Sequence, residues 1–134
     1  MALFHLQIVT PDKMVYDGQA EKLIVRAITG DVCILARHID YAVPLAIGKA
    51  QVTDDQGNTR LAACSGGFLS VSDGEARLMP ITFEWAEEID LNRAMAAKEK
   101  AENALAAARE GDAAYLAAEA KLKRALMRIE TKQQ

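Results

Sequence analysis

The period of the hydrophobic pattern changes near residue 86, and this change divides the chain. Before it, short apolar runs alternate with polar residues and end at turn-forming residues about every 8–12 positions. After it, alanines recur at spacings of three and four along two segments. The first pattern is that of half-buried strands and the second that of one helix face. The sequence therefore predicts a β domain over residues 1–86 and a helical domain over residues 87–134.

The first domain holds a series of short runs with the strand pattern. They lie at residues 4–8, 14–16, 23–27, 32–35, 41–47, 51–53, 60–64, 68–71 and 76–79, with a linker or last strand at 80–85. We expect the second run to end at Asp17 and Gly18, a turn-forming pair. Asp73 and Gly74 supply the positive-φ positions of a tight hairpin. Frequent turns without βαβ spacing favour an antiparallel sandwich or barrel.

The second domain reads as two antiparallel helices. Asp90 is the expected N-cap of a helix that runs to about Arg109, and Gly111 and Asp112 form the turn before a second helix that ends near Ile129. The apolar stripes are Ala94, Ala97, Ala101, Ala104 and Ala108 on the first helix and Tyr115, Ala118, Leu122, Ala125 and Ile129 on the second. Each alanine buries little area, so we expect a hairpin that is held weakly and can detach.

Composition and charge exclude several classes of protein. The net charge is −3 and aromatic residues are 5% of the chain, which does not favour nucleic acid as a partner. No apolar run approaches the ~18 residues of a membrane span. The opening residues alternate and include an early Asp, so we expect no secretory leader. Cys33 and Cys64 lie in apolar strand-like runs, and we expect both thiols to be buried and reduced.

No catalytic template fits the chain. Ser65 precedes two glycines but lacks the G-x-S-x-G turn between strand and helix that a hydrolase needs. His5 and His38 are far apart and have no metal-ligand spacing, so we expect them to be surface or structural residues. A Walker-type phosphate loop is also absent from the sequence. We therefore predict a non-catalytic protein without a metal site.

The last segment carries a local excess of positive charge. Residues 113–134 hold two acids and five bases. The bases are Lys121, Lys123, Arg124, Arg128 and Lys132. Either a solvated helix face or a surface for an acidic partner fits this pattern, and the charges alone do not choose between them.

Three motifs carry a resemblance to a known family. FHLQIVTPDKMVYDG near the start, SGGFLSV in the middle and AEEIDLNRAMAAKEKA before an alanine-rich helix resemble the epsilon subunit of bacterial F-type ATP synthases. The resemblance covers essentially the whole chain. It implies an antiparallel β-sandwich of about ten strands followed by an antiparallel two-helix hairpin, in agreement with the periodicity.

One stretch departs from the family pattern. The family usually reads G-x-L-G-I-L-P-G-H-x-P-L, and this chain reads GDVCILARHIDYAVPL over residues 30–45. Cys33 replaces a glycine, and Ala36 and Arg37 replace a proline and a glycine. By resemblance, Arg37 and His38 lie where the sandwich meets the c-ring. The replacements around them mean that the turn and its contacts need not be those of the family.

The resemblance implies a non-catalytic subunit of the central stalk, with no required cofactor. Its partners would be the gamma subunit, the c-ring and the alpha/beta catalytic hexamer, with the membrane involved only through the complex. The location implied is the cytoplasmic face of the bacterial plasma membrane. The hairpin would lie folded on the sandwich, or extend along gamma and oppose ATP hydrolysis.

The resemblance also implies a regulatory ATP site. The residues that match the family's I/L-D-x-x-R-A motif and its second-helix arginines are Ile89, Asp90, Arg93, Ala94, Arg124 and Arg128. Lys100 stands where strong binders carry an arginine, which weakens the site. In the extended state, the implied contacts with the beta subunit are Lys121, Lys123, Arg124 and Arg128.

Three alternatives stay open at this stage. Asp90 can serve as an N-cap alone, while Arg93 and Arg124 form solvated pairs with nearby acids. The chain can be a free-standing ATP-sensing module. It can also be a static β-sandwich adaptor whose hairpin does not move.

Overall fold

The computed structural model describes residues 2–133, so the outer ends of the two predicted domains, Met1 and Gln134, lie outside the described residues. Within that range nine strands precede a short 3-10 turn and two helices. The strands are β1 (Phe4–Val9), β2 (Met14–Ala27), β3 (Gly30–Ile34), β4 (Tyr41–Pro44), β5 (Gly48–Asp54), β6 (Thr59–Ser65), β7 (Phe68–Ser72), β8 (Glu75–Met79) and β9 (Thr82–Trp85). The 3-10 turn is Ala86–Glu88, and the helices are α1 (Leu91–Ala107) and α2 (Ala113–Lys132). The predicted fold class is confirmed, with nine strands against an expectation of about ten.

Strand β2 joins the two layers of the sandwich. The strand order is β4-β7-β8-β1-β2-β5-β6-β9, and β3 pairs with the second half of β2. All neighbours are antiparallel except β1 and β8. The first half of β2 pairs with β1, and after a register shift between Ala20 and Lys22 the second half pairs with β5. A bulge of this kind bends a strand, which lets one strand serve both layers.

The core lies between the layers and follows the alternation of the sequence. In β1 the side chains of Phe4, Leu6 and Ile8 point inward, while the three residues between and after them are half-buried. Leu23 from β2 and Leu78 from β8 are fully buried in the same cluster. One apolar face per strand is what a two-layer antiparallel sandwich requires.

The predicted end of the second strand at Asp17 and Gly18 is wrong. Both residues lie inside β2, where Asp17 pairs with Gln7 and Gly18 with Leu6. The ladder to β1 supplies backbone hydrogen bonds on this stretch, and these outweigh the local turn preference of an Asp-Gly pair. The Asp17 carboxylate points outward and lies 2.5 Å from Nε2 of His5.

The prediction for the two cysteines is half wrong. Cys64 is buried in β6, and burial raises the pKa of its thiol to about 12. Cys33 is exposed, because its neighbours in β3, Val32 and Ile34, point inward and Cys33 points to the opposite face. Of these neighbours, Ile34 is fully buried. The sequence run around Cys33 is apolar on both faces, so alternation did not reveal which face is covered.

The helical hairpin forms as predicted, but the predicted stripe on α1 is only partly buried, because Ala104 is exposed and Ala108 lies beyond the end of the helix. The backbone N–H of Arg93 donates to Oδ1 of Asp90 at 3.1 Å, so Asp90 is the N-cap of α1. The buried residues of the pair are Ala94 and Ala101 on α1 and Ala118, Ala125 and Thr131 on α2. Helix α1 ends two residues before the expected Arg109, and α2 continues to Lys132, beyond the expected Ile129.

Helix α2 connects the hairpin to the sandwich. It packs on α1 along one side and on β5, β6 and the 3-10 turn along another. Across residues 2–133, neither helix combines the length and hydropathy that crossing a bilayer requires.

Candidate functional site: the cleft between sandwich and hairpin

An open cleft of about 560 Å3 lies where the hairpin meets the sandwich. Its walls are the β1–β2 turn, the ends of β6 and β9, the start of α1 and one face of α2. The lining residues are Asp12, Lys13, Ile47, Ala63, Cys64, Ser65, Thr82, Phe83, Glu84, Glu88, Arg93, Arg124, Met127 and Arg128. The volume falls within the range of small-molecule sites. Three arginines from two helices therefore face one cavity, although they are up to 35 residues apart in sequence.

A smaller hollow of about 330 Å3 adjoins this cleft through shared walls. Asp90, Ala94 and Ala97 line it, together with Glu84, Glu88, Arg93 and Arg128, which also line the cleft. Five of the six residues predicted to bind ATP thus line the cleft or the smaller hollow. The sixth, Ile89, is buried at 3% exposure and lines neither.

The charges in the cleft are arranged unevenly. Arg128 Nε lies 3.4 Å from Oε1 of Glu84, so this arginine is already paired with the last strand of the sandwich. Arg93 and Arg124 form no salt bridge with any residue in the described range 2–133. The solvated pairs expected for them as an alternative are therefore not formed here. Two guanidinium groups remain available to an anionic ligand such as a phosphate.

Sequence reasoning missed the sandwich side of the cleft. Lys13 on the β1–β2 turn and Glu84 on β9 face the helical arginines across it. No local pattern marks either residue, because each is a single charged position in or beside a strand. Only the docking of α2 on β6 and β9 brings them to the same cavity.

The junction between the domains is held by an arginine and the single tryptophan of the chain. Cζ of Arg60 lies 3.7 Å from the ring centroid of Trp85, and Arg60 Nε donates to Oε1 of Glu87 at 2.8 Å. The pKa of the Glu87 carboxyl is lowered by a hydrogen bond to its own backbone and by the bond from Arg60. We call Arg60, Trp85 and Glu87 the junction clasp. A lone Trp at a change of period was a signal that the sequence offered.

The four basic residues predicted to meet the beta subunit do not form one patch. Arg124 and Arg128 face the cleft, and with Lys121 they border a hollow between α1 and α2. Lys123 is absent from that hollow, and its amine lies 3.9 Å from Glu119 on the same helix. In the folded hairpin the positive charge is therefore divided between two sides of α2.

The divergent loop keeps an ordered turn. The backbone N–H of His38 donates to the carbonyl of Leu35 at 3.2 Å, with Arg37 at φ 66°. A positive φ at the third position is the geometry of a type II turn, which favours glycine there. The His38 ring donates from Nδ1 to the carbonyl of Ile39 at 2.7 Å. Arg37 therefore takes a left-handed conformation that the family motif assigns to glycine, and its side chain is exposed.

Known proteins match this chain over both its sandwich and its helical hairpin. The model of the ATP synthase delta/epsilon chain β-sandwich domain matches residues 3–86, and that of the delta/epsilon long α-helix domain matches residues 87–133. The ATP synthase epsilon chain of Caldanaerobacter subterraneus subsp. tengcongensis is 43% identical, over 94% of this chain and 91% of the relative. The ATP synthase epsilon chain of Bacillus velezensis is 43% identical, over 97% of each. The chain belongs to the ATP synthase epsilon chain family.

Two solved structures of other ATP synthases contain a chain with the same fold as this one. A chain of the Euglena gracilis mitochondrial ATP synthase, from an assembly that includes the c-ring, aligns with a TM-score of 0.83 at 23% identity, over 100% of this chain and 83% of that one. A chain of the Tetrahymena thermophila mitochondrial central stalk and c-ring aligns with a TM-score of 0.65 at 12% identity, over 96% and 95%. At these identities the likeness concerns the fold alone.

Family membership confirms three predictions. The resemblance read from the three motifs is correct, the chain is a non-catalytic subunit of the ATP synthase, and its role is that of a rotor subunit. Among residues 2–133, no group of three or more His, Cys, Asp or Glu side chains is placed to hold a metal ion.

Proposed function

We propose that this epsilon chain links rotor and catalyst in its complex, with the gamma subunit, the c-ring and the alpha/beta hexamer as partners. The support is the match to epsilon chains along both domains, together with a sandwich that keeps its own core apart from the hairpin. The sandwich binds gamma and, through Arg37 and His38, contacts the c-ring. The complex places the chain on the cytoplasmic face of the bacterial plasma membrane.

Co-purification with a gamma subunit tests the partner assignment. We expect the full chain to bring down gamma, and a chain with Arg37→Gly to do so equally, because that change affects only the proposed ring side. If gamma does not co-purify with the full chain, the central-stalk assignment of partners fails. Fractionation of cells with the assembled complex tests the location, and recovery outside the membrane fraction would contradict it.

The hairpin is proposed to be the regulatory element. Its buried helix–helix positions are alanines, so the seam gains little hydrophobic energy per residue and can separate at low cost. Removing residues 88–134 should leave assembly intact and raise ATP hydrolysis. Unchanged hydrolysis by the assembled, truncated enzyme would count against an inhibitory hairpin. It would leave open a static adaptor, which strong amide protection throughout the hairpin would support.

The cleft is proposed to bind ATP and so stabilise the folded hairpin. Arg93 and Arg124 are the proposed phosphate contacts, and Asp90 with Ala94 borders the base. Calorimetry of the isolated chain with ATP should show heat that Arg124→Ala abolishes. Lys123→Ala is the matched control, because Lys123 is on the same helix but outside the cleft. Absence of heat at millimolar ATP would remove the proposal, and tight binding without affinity for gamma would favour a free-standing ATP sensor.

The extended hairpin is proposed to contact the beta subunit. Arg124 and Arg128 leave the cleft when α2 detaches, and they then join Lys121 and Lys123 as exposed cations. An interface of several ion pairs weakens as salt rises. Inhibition of hydrolysis should therefore fall with ionic strength in the full complex. Inhibition that is insensitive to salt would contradict the charged contact.

A further inference from the structure

The last turns of α2 reach the sandwich side of the molecule through three polar contacts. Lys49 Nζ on β5 donates to Oε1 of Glu130 at 3.1 Å. Arg128 meets β9 at 3.4 Å, as described for the cleft. Lys132 Nζ donates to the carbonyl oxygen of Ala86 at 3.2 Å. Met127 of α2 and Leu61 of β6 line the same hollow beside these contacts.

The Lys49 contact differs from the other two in its surroundings. Lys49 borders a hollow of about 460 Å3 that Asp31 and Glu130 also line, so it lies between a carboxylate of β3 and one of α2. Asp31 is itself bound by Arg26, whose Nε donates to Oδ1 at 2.6 Å. The pKa of Asp31 is lowered by Arg26 first and to a smaller extent by Lys49. Positive and negative groups thus alternate from Arg26 to Glu130.

Gly48 makes room for this row of charges. A Cβ atom at Gly48 would lie 2.2 Å from Cβ of Arg26, so any other residue there would displace the arginine. Gly48 itself is buried next to Lys49. The Arg26 side chain therefore passes over Gly48, and this row of charges depends on the absence of a side chain there.

We propose that the ion pair between Lys49 and Glu130 is a latch that holds the hairpin on the sandwich and opens reversibly. This inference rests on the proposed movement of the hairpin. When α2 detaches, Lys49 still has Asp31 as a neighbour and Glu130 enters water, so neither charge is left buried and unpaired. Even in the folded hairpin the two side chains are 29% and 56% exposed, so the pair opens without the penalty of a buried, unpaired charge. Of the other two contacts, Arg128 also lines the proposed ATP cleft and Lys132 binds a backbone carbonyl, so only the Lys49 pair can be removed from both sides without changing the cleft.

Amide hydrogen exchange of α2 in the full chain measures the latch. Lys49→Met and Glu130→Gln should each raise exchange at residues 125–131 about twofold to fivefold, the range for a partly exposed ion pair. The double variant should be no faster than either single one, because both remove the same interaction. Raising salt should speed exchange more in the wild type than in the double variant, in which the Arg128–Glu84 pair still joins α2 to the sandwich.

The matched control is the ion pair of Lys123 and Glu119, which lies within α2. Lys123→Met removes a cation from the same helix without touching the sandwich, and it should leave exchange at residues 125–131 within the error of the wild type. Exchange that rises equally in Lys49→Met and Lys123→Met would overturn the latch. Effects of Lys49→Met and Glu130→Gln that add in full would overturn it too.

Spin labels separate release of the hairpin from fraying of its end. The exposed thiol of Cys33 accepts one label, and Glu110→Cys places the second at the hairpin tip. Lys49→Met should broaden the measured distance toward longer values, and an unchanged distribution would overturn release as the cause of exchange. If truncation fails to raise hydrolysis while these results hold, the inhibitory role fails and the latch stands. If truncation raises hydrolysis but Lys49→Met changes neither exchange nor distance, the hairpin is regulatory and is held by other contacts.

Discussion

Replacement of Arg60 by methionine tests the junction clasp. Methionine keeps an unbranched side chain of similar length but removes the guanidinium. The group that disappears lies 3.7 Å from the centroid of the Trp85 ring and donates to Glu87. The turn Ala86–Glu88 would then keep its backbone link to β9 and the bond from Lys132 of α2, but it would lose its side-chain contact with β6.

The magnitude follows from the exposure of the two contacts. The Arg60 side chain is 43% exposed and that of Glu87 is 55% exposed, so both interactions are weakened by water. An exposed cation–π contact contributes about 0.5–1 kcal/mol, and a surface ion pair contributes about 0.2–1 kcal/mol. Together they stabilise the closed turn by about 0.7–2 kcal/mol, which corresponds to about a 3–30-fold change in its opening equilibrium.

The reporting group is the backbone N–H of Ile89, which donates to the carbonyl of Ala86 at 3.2 Å and closes the turn. Its hydrogen exchange should rise by about the same 3–30-fold factor in Arg60→Met when exchange follows the opening equilibrium. The fluorescence of Trp85, the single tryptophan, should change as well. Arg77→Met is the matched control, since Arg77 is exposed on β8 and forms no salt bridge within residues 2–133.

Exchange at Ile89 that is unchanged in Arg60→Met would refute the clasp. An equal rise in Arg77→Met would show that the effect comes from lost surface charge rather than from the stacked guanidinium. A change in fluorescence without a change in exchange would mean that Arg60 contacts the ring but does not hold the turn.

Three further changes test other parts of the structure. Gly67→Ala should lower the melting temperature far more than Gly57→Ala, because both have φ +81° but only at Gly67 does a Cβ meet backbone, 2.0 Å from a carbonyl of β8; equal losses by calorimetry would contradict this. The pKa of His5 is raised by its carboxylate partner on β2, so its contribution is full below pH ~6.5 and lost as pH rises through the higher folded value. His5→Gln should therefore destabilise at pH 5.5 and not at pH 9, and a loss equal at both, measured by denaturant unfolding, would refute this. Alkylation of the native chain followed by mass spectrometry should modify exposed Cys33 and spare Cys64, whose pKa is about 12; modification of both at one rate would contradict the burial of Cys64.

The regular parts of the fold were predictable because they depend on local periodicity. Alternation in β1 predicted both the strand and its inward face, whereas the alanine spacing predicted both helices and only part of their buried faces. The course of β2 was not predictable, because Asp17 and Gly18 favour a turn in isolation and are held extended only by pairing with β1. The prediction that Cys33 is buried failed for a related reason: an apolar run does not indicate which of its faces the rest of the chain will cover.

The candidate site shows the same division. The motif around Asp90 and Arg93 identified one wall of the cleft, since those residues are neighbours on a helix. Lys13 and Glu84, which form the opposite wall, carry no local signal and were missed. The pair of Lys49 and Glu130 joins residues 81 positions apart, and no spacing rule connects them.

A strand-built domain, a hairpin faced with alanine and a motif shared with epsilon chains are all readable from residue order, because short-range periodicity and side-chain type encode them. The placement of α2 on β5 and β6 is different in kind. It depends on which surfaces fit once the whole chain has packed, and it creates the cleft and the latch. Contacts between distant residues arise from shape and charge in three dimensions, and a linear pattern contains neither.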